Sequence, residues 1–159
     1  MALSPGTLAP DFTLKSMGAE GLCDIKLSEY LGKENVVLLF FPLAFTSVCT
    51  EELCGVSSSI ESYRGLNAKV IGISVDSPFA QAVWAQREKI SIPLASDLDK
   101  KVIAAYDVVF KKLAEIGDTA ARAVFVIDRD GVIRYSEQTP TPKDLPNFEK
   151  VREVLATLS

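Results

Sequence analysis

Short, continuously apolar runs alternate along the chain with stretches of helical spacing. The runs VVLLFF at 36–41 and KVIGISV at 69–75 are apolar and rich in β-branched residues, which is typical of strands buried on both faces. The pattern predicts strands at 11–14, 24–27, 35–41, 69–75, 93–95, 121–128 and 132–137. It predicts helices at 46–63, 79–88, 98–106 and from an Asn147 cap to about 158.

Turn signals set the order of these elements. The polar, Gly-containing segment 16–21 joins the first two strands, and Arg129-Asp130-Gly131 joins the last two as a hairpin. Strands joined by helical crossovers and followed by a hairpin predict an α/β fold, with a mixed central sheet flanked by helices and an N-terminal β-hairpin. The length of 159 residues favours one domain over 1–159.

Composition and charge narrow the classes of function. The net charge of −4 gives no electrostatic reason to bind nucleic acid or an anionic membrane surface. No apolar run approaches the roughly 18 to 20 residues that a membrane span requires. The first residues also lack the basic and apolar regions of a secretory signal. We therefore expect a cytoplasmic protein.

The segment from Pro42 to Cys54 is the candidate site of chemistry. Pro42 ends the apolar strand, and the hydroxyl residues Thr46 and Ser47 are candidate helix caps. Cys49 then falls in the first turn of a helix, where backbone N–H groups and the positive end of the helix dipole favour a thiolate. Cys49 is therefore the candidate nucleophile.

Histidine and cysteine counts restrict how that nucleophile is activated. The chain has no histidine, which excludes Cys–His and Ser–His–Asp catalysis and removes the commonest metal ligand. Three cysteines, an odd number without zinc-finger spacing, indicate redox or nucleophilic use rather than a secreted disulfide framework. Arg122 opens a strand among apolar neighbours. If that strand runs antiparallel to 35–41, Arg122 lies beside the thiol and stabilises its anion.

These residues resemble the peroxiredoxin family. PLAFTSVC fits the Pro-x-x-x-Thr/Ser-x-x-Cys motif of the family, and further similar segments are APDFTL, SVDSP with Trp84 eight residues after Asp76, PLASD and RAVFVIDRDGVIRY. PLAFT and the short C-terminus are similar to the alkyl hydroperoxide reductase E-type group. A second cysteine five residues after the first is similar to the bacterioferritin-comigratory or Q-type group.

The resemblance implies a thioredoxin-like domain and a role for each matched residue. Cys49 corresponds to the peroxidatic cysteine, which attacks a hydroperoxide and becomes a sulfenic acid. Pro42, Thr46 and Arg122 complete the active site, and Glu52 occupies a position that helps to orient the arginine. Trp84 is expected to pack in the core, and the resemblance adds that it lines the substrate approach.

Cys54 is the candidate resolving cysteine. In an intact helix, residues five apart have Cα atoms roughly 8.7 Å apart, whereas a disulfide needs less than about 7 Å. The first turns must therefore unwind, which the poor helix formers at 55–59 favour. The alternative is that Cys54 packs as a small apolar residue. Cys23, which has neither a helix start nor a nearby cation in the sequence, is expected to be structural.

The implied partners are a peroxide and a thioredoxin or glutaredoxin-like reductant, without a cofactor or metal. The subgroup resemblances leave monomer and homodimer open. Two other readings remain: a one-cysteine mechanism with an external thiol, and a thioredoxin-like redox sensor without turnover. A thiol–disulfide oxidoreductase is disfavoured because the Cys-x-x-Cys spacing is missing.

Overall fold

The computed structural model describes residues 2–158 and contains a central seven-stranded mixed sheet. The strand order is β2-β1-β5-β4-β3-β8-β9, and β6 and β7 form a separate two-stranded sheet. The strands are β1 (Thr13–Gly18), β2 (Gly21–Lys26), β3 (Asn35–Phe40), β4 (Ala68–Ser74), β5 (Leu94–Ser96), β6 (Val109–Leu113), β7 (Gly117–Ala120), β8 (Ala123–Ile127) and β9 (Ile133–Gln138). The helices are α1 (Ser47–Ser58), α2 (Ile60–Gly65), α3 (Pro78–Glu88), α4 (Lys101–Ala105) and α5 (Phe148–Thr157).

The sheet is mixed because parallel and antiparallel pairs meet at β3. Strands β3, β4 and β5 run parallel, whereas β8 pairs antiparallel with β3 and with β9. The predicted α/β architecture and the N-terminal hairpin of β1 and β2 are confirmed. The condition stated for Arg122 is also met, because β8 pairs antiparallel with β3.

Both faces of the central strands are buried, which explains their continuous apolar sequences. In β3, Leu38 and Phe40 pack into one core cluster, which includes side chains of α4. Val37 and Leu39 pack into a second cluster, which includes side chains of α1, α2, α3 and α5. Among residues 2–158, no helix is long and apolar enough to cross a membrane.

Several predicted boundaries were wrong. The predicted turn 16–21 is shorter, because β1 and β2 remain paired as far as Gly18 opposite Gly21. The predicted helix 46–63 is divided at Ser59 into α1 and α2. The predicted helix 98–106 begins only at Lys101, where the Asp97 carboxylate accepts hydrogen bonds from the backbone N–H groups of 101–103.

The hairpin of β6 and β7 was not predicted. The sequence of β6, VFKKL, is only partly buried and lacks a clean alternation of apolar and polar residues. Lys112, Ala114 and Glu115 have positive φ angles, and the register shifts between Phe110 and Leu113. This irregular hairpin contributes a wall of the candidate active site.

Candidate active site

The chain turns sharply between β3 and α1. Phe45 has a φ of 68°, and Thr46 occupies the N-cap position of α1 with an extended backbone. The Thr46 hydroxyl donates a hydrogen bond to the Leu43 carbonyl at 2.7 Å, and its side chain does not cap the helix. The side-chain cap predicted for Thr46 was therefore wrong. The backbone N–H groups of the first turn remain available to an anion.

The register of β8 places Arg122 at this turn. Ala123 lies opposite Phe40 in the antiparallel pair, so that Arg122, one residue earlier, lies beside the carboxyl end of β3. The Arg122 carbonyl accepts hydrogen bonds from the backbone N–H of Thr139 at 3.0 Å and from its hydroxyl at 3.3 Å. Both hydrogen bonds hold the backbone of Arg122 against Thr139.

The Arg122 side chain joins Cys49 to Glu52 in the interior. Nη2 lies 3.1 Å from the Cys49 Sγ, and Nη1 donates to Glu52 Oε1 at 2.7 Å. Nε donates to the Pro142 carbonyl at 2.9 Å. Cys49, Glu52 and Arg122 are each at most 2% exposed, so the guanidinium acts in surroundings with little solvent screening. Each of the three guanidinium nitrogens therefore has a defined partner.

The charge of Glu52 is set by two opposing influences. Burial raises the pKa of its carboxyl to about 7, although Arg122 acts in the opposite direction. Its second oxygen, Oε2, is buried and has no hydrogen-bond partner. When Cys49 is a thiolate, one guanidinium faces two anions unless Glu52 holds a proton. The same guanidinium therefore contacts both the Glu52 carboxyl group and the Cys49 sulfur.

A predominantly apolar pocket of about 540 Å³ opens in front of Cys49. One side is formed by Pro42, residues 46–49 and Arg122. The β6–β7 hairpin contributes Phe110, Leu113 and Ala114, and the loop at 141–143 completes the rim. Within the described residues, no group of three or more His, Cys, Asp or Glu side chains could hold a metal ion. Cys49 and Arg122 are both among the residues that line this pocket.

Comparison with known proteins identifies the family of this chain. The model of the AhpC/TSA family matches residues 5–136. The chain belongs to the AhpC/TSA peroxiredoxin family. It is 38% identical over 165 residues to the 2-cysteine peroxiredoxin of Chattonella marina var. antiqua, covering 99% of this chain and 80% of that protein.

Two further relatives agree. The mitochondrial thioredoxin-dependent peroxide reductase of Drosophila melanogaster is 37% identical over 155 residues, which cover 92% of this chain and 62% of that protein. The crystal structure of the peroxidoxin BcpB from Mycobacterium tuberculosis superposes with a TM-score of 0.85 at 27% identity and covers 99% of both chains. The thioredoxin-like fold of peroxiredoxins is thus established for this chain.

In this peroxiredoxin Trp84 is fully buried and contacts the start of α1. Its indole N–H donates to the Thr50 hydroxyl at 3.0 Å. Its ring contacts those of Phe41 and Phe45, with centroids 5.2 and 6.5 Å away. The expected core packing is confirmed. The contacts of Trp84 are with Thr50, Phe41 and Phe45. A role of Trp84 in substrate approach stays a prediction.

Cys54 lies in the last turns of the same helix, in different surroundings. It is a half-buried free thiol whose Sγ lies 3.5 Å from the Glu88 carbonyl oxygen. Burial, and after it the negative charge of Glu88, raises the pKa of this thiol. Because α1 is continuous from Ser47 to Ser58, the helical separation of about 8.7 Å between its Cα atom and that of Cys49 applies.

Cys23 is remote from the pocket. It lies on β2, an edge strand separated from β3 by three intervening strands, and its exposed thiol contacts the Ser16 carbonyl at 3.6 Å. Two features of the site were missed by sequence reasoning, namely the Pro142 carbonyl and the walls from the β6–β7 hairpin. A backbone carbonyl has no residue signature, and only the Pro-containing loop at 139–146 hinted at that part of the site.

Proposed function

We propose that this peroxiredoxin is a thiol-dependent peroxidase that reduces hydrogen peroxide and organic hydroperoxides through Cys49. The observation that carries the proposal is the Arg122 guanidinium, whose Nη2 lies 3.1 Å from the Cys49 Sγ while Glu52 holds Nη1. A free cysteine with a pKa of about 8.5 is mostly a thiol at neutral pH. A buried cation at hydrogen-bond distance favours the thiolate, which is the nucleophile.

In the first half-reaction the Cys49 thiolate attacks the terminal oxygen of a hydroperoxide in line with the O–O bond. The sulfur gains that oxygen and becomes a sulfenic acid, while the O–O bond breaks and its electron pair leaves with the other oxygen. That oxygen takes up a proton and departs as water or an alcohol. Arg122 and the backbone N–H of Cys49 are suited to stabilise the negative charge that develops on the oxygens.

Thr46 is suited to position the peroxide. Because its hydroxyl hydrogen is directed to the Leu43 carbonyl, the oxygen retains lone pairs that can accept the O–H of a hydroperoxide in the pocket. Pro42 is buried at the pocket wall beside the thiol, where it limits the access of water to the sulfenic acid.

In the second half-reaction we assign resolution to Cys54. Its thiol attacks the sulfenic sulfur, water leaves, and a Cys49–Cys54 disulfide forms after α1 has unwound. Gly55 and the serines at 57–59 make that unwinding easier, and the chain already breaks from helical geometry at Ser59. A dithiol reductant then restores both thiols. Thioredoxin is the favoured reductant, in keeping with the name of the Drosophila relative, and a glutaredoxin-like protein is the alternative.

A homodimer and a reducing compartment such as the cytoplasm complete the proposal. Phe45, Phe79 and Val83 are exposed apolar side chains on the turn before α1 and on the neighbouring α3, and such a group suits a contact between copies.

Peroxide consumption with thioredoxin and its reductase tests the proposal. We expect repeated turnover by the wild-type protein, none by Cys49→Ser, and near wild-type turnover by the matched control Cys23→Ser. Unchanged consumption by Cys49→Ser would contradict the proposal, and a single stoichiometric reaction would favour the redox sensor. Mass spectrometry after one equivalent of peroxide distinguishes a Cys49–Cys54 disulfide from a persistent sulfenic acid, which indicates the one-cysteine mechanism.

A further inference from the structure

The peptide group between Leu43 and Ala44 lies in the turn that leads from β3 to α1. Its carbonyl oxygen accepts the hydrogen bond from the Thr46 hydroxyl at 2.7 Å, and its N–H donates to Asp76 Oδ2 at 2.8 Å. A trans peptide group is planar, with its carbonyl and its N–H on opposite sides. The Asp76 carboxylate, which holds the N–H, therefore also fixes the direction in which the carbonyl faces Thr46.

This turn depends on a partner from another element. Phe45, the residue after the peptide group, has a φ of 68°, in the left-handed region that residues with a side chain rarely adopt. Such a conformation persists when surrounding groups determine it. Ala44 is buried, so its N–H needs a hydrogen-bond acceptor within the protein. Asp76, which follows β4, supplies that acceptor.

The Asp76 carboxylate is itself held in place by its neighbours. The Ser74 hydroxyl donates to the same oxygen, Oδ2, at 2.7 Å, and the Gln81 amide donates to Ser74 Oγ at 2.9 Å. Both Ser74 and Gln81 are buried. The Ser96 hydroxyl donates to the Asp76 carbonyl at 2.6 Å, which ties the backbone of Asp76 to β5. Because its side chain and its backbone both have defined partners, Asp76 offers Ala44 a fixed acceptor.

The direction of the Thr46 hydroxyl matters because Thr46 is exposed and lines the pocket in front of Cys49. A hydroxyl can rotate about its C–O bond, and its lone pairs turn with its hydrogen. The hydrogen bond to the Leu43 carbonyl selects one of these orientations. Among the described residues, those that line this pocket do not include Asp76. Asp76 can therefore influence a peroxide in the pocket only through the groups that it holds.

We propose that Asp76 is a positioning residue for the peroxidase reaction, which it serves through the Leu43–Ala44 peptide group and the Thr46 hydroxyl. The inference rests on the proposed function, in which the Thr46 oxygen accepts the O–H of the hydroperoxide. By fixing the carbonyl that takes the Thr46 hydrogen, Asp76 keeps the lone pairs of that oxygen directed at the substrate. Its effect on the rate therefore requires the Thr46 hydroxyl.

Stopped-flow measurement of the reduced full-length protein reacting with hydrogen peroxide tests this role. Asp76→Leu removes the acceptor and should slow sulfenic acid formation about tenfold, the effect of losing one well-directed hydrogen bond. Asp76→Asn should restore most of that rate, because its amide oxygen can replace Oδ2 and accept from both Ala44 and Ser74. Asp128→Leu is the matched control and should leave the rate unchanged. The Asp128 carboxylate also accepts backbone N–H groups, at 130 and 132, but at the opposite end of β3.

A double-mutant cycle separates positioning from a general loss of structure. In a Thr46→Val background, adding Asp76→Leu should not slow the reaction further. Ser74→Ala removes only the group that steers the carboxylate; it should cost about twofold, again only when Thr46 is present, and it replaces Asp76→Leu should that variant not fold. Equal losses with and without the Thr46 hydroxyl, a wild-type rate in Asp76→Leu, or no recovery in Asp76→Asn would overturn the proposal while the wild type still reacts through Cys49. A wild-type protein that does not react would overturn the proposed function as well.

Discussion

Cys49 and Cys54 lie in one helix, five residues apart, but their thiols face different neighbours. Cys49 is fully buried in the first turn of α1 and faces a guanidinium at 3.1 Å. Cys54 is half-buried near the end of the helix, beside the Glu88 carbonyl, with a pKa raised by burial and by the Glu88 charge. A cation faces the Cys49 thiol, whereas burial and a nearby negative charge favour the neutral form of the Cys54 thiol.

In the mechanism proposed above, this contrast separates the two half-reactions in space and in time. Attack on a peroxide needs a thiolate in an intact helix, because the first turn and Arg122 provide its surroundings. If Cys54 resolves the sulfenic acid, it must leave Glu88 and α1 must unwind, because an intact helix holds the two Cα atoms too far apart for a disulfide. The stability of α1 therefore balances reactivity at Cys49 against access by Cys54.

Removing the cation gives the largest expected effect. Arg122→Met deletes a donor to the reacting oxygens and should slow sulfenic acid formation by about 10²- to 10³-fold. Arg122→Lys keeps the positive charge but not the planar guanidinium whose three nitrogens contact Cys49, Glu52 and Pro142. It should therefore recover only part of the rate. Stopped-flow measurement of the reaction with peroxide gives both rates.

Arg134→Met is the matched control for Arg122, because Arg134, on β9, also pairs with a carboxylate, that of Asp128 at 2.5 Å. It should leave the rate of peroxide attack unchanged. Near wild-type attack by Arg122→Met, with circular dichroism indicating a folded protein, would remove Arg122 from the proposed chemistry.

Removing the second thiol should separate the two steps. Cys54→Ser keeps the surroundings of Cys49, so the first oxidation should proceed at nearly the wild-type rate. Thioredoxin-dependent turnover should fall on the order of 10²-fold, because an external thiol lacks the high effective concentration of an intramolecular one. Measuring both rates on the same preparation checks this, with Cys23→Ser as the control. Unchanged turnover would make Cys54 dispensable.

The charge of Glu52 should appear in the pH dependence of stability. Its pKa is raised from 4.5 in an unfolded chain to about 7 in the folded one, so between these values the folded state binds the extra proton. The free energy of unfolding should therefore decrease as pH rises from about 4.5 to 7, by no more than about 3 kcal/mol from this group. Above about pH 8, where Glu52 is ionised in both the folded and the unfolded chain, its contribution is constant.

Urea denaturation of wild-type and Glu52→Gln proteins across this pH range isolates the effect. The difference between their two curves should contain the slope assigned to Glu52. Glu51→Gln, which changes the exposed neighbour on the same turn, should run parallel to the wild type. Parallel curves for Glu52→Gln and wild type would mean that Glu52 is ionised throughout.

The sequence predicted the central fold well because burial on both faces imposes a continuous apolar pattern. β3, β4 and β8 have such runs, and their strands were predicted to within one or two residues at each end. The β6–β7 hairpin was missed because it is a two-stranded, partly exposed element. Lys111 and Lys112 interrupt the apolar run of β6, so that neither a continuous nor an alternating hydrophobic pattern is present. The break at Ser59 falls in the run of poor helix formers at 55–59, a signal that the predicted helix 46–63 did not take into account.

Prediction of the site had a similar limit. Helix-start chemistry indicated Cys49, and an arginine among apolar neighbours indicated Arg122. Glu52 came from the family resemblance alone, and the structure places it 2.7 Å from Arg122. The third partner of the guanidinium, the Pro142 carbonyl, is contributed by a loop 20 residues further along the chain. Such contacts follow from the assembled fold rather than from a motif.

The smallest effect concerns how readily α1 unwinds. Gly55→Ala should stabilise α1 by about 0.5–1 kcal/mol, and a Cβ atom there meets no other atom within 4 Å. If resolution requires unwinding, disulfide formation should slow by about two- to fivefold, because 1.4 kcal/mol corresponds to tenfold. Peroxide attack on Cys49 should keep its rate.

Gly65→Ala is the matched control, because Gly65 lies at the end of α2 and also has open space around it. It should change neither step. Quenched-flow mass spectrometry of the sulfenic acid and the disulfide separates the two rates. Unaltered disulfide formation in a measurably more stable Gly55→Ala protein would mean that Cys54 reaches Cys49 without unwinding of α1 at this position.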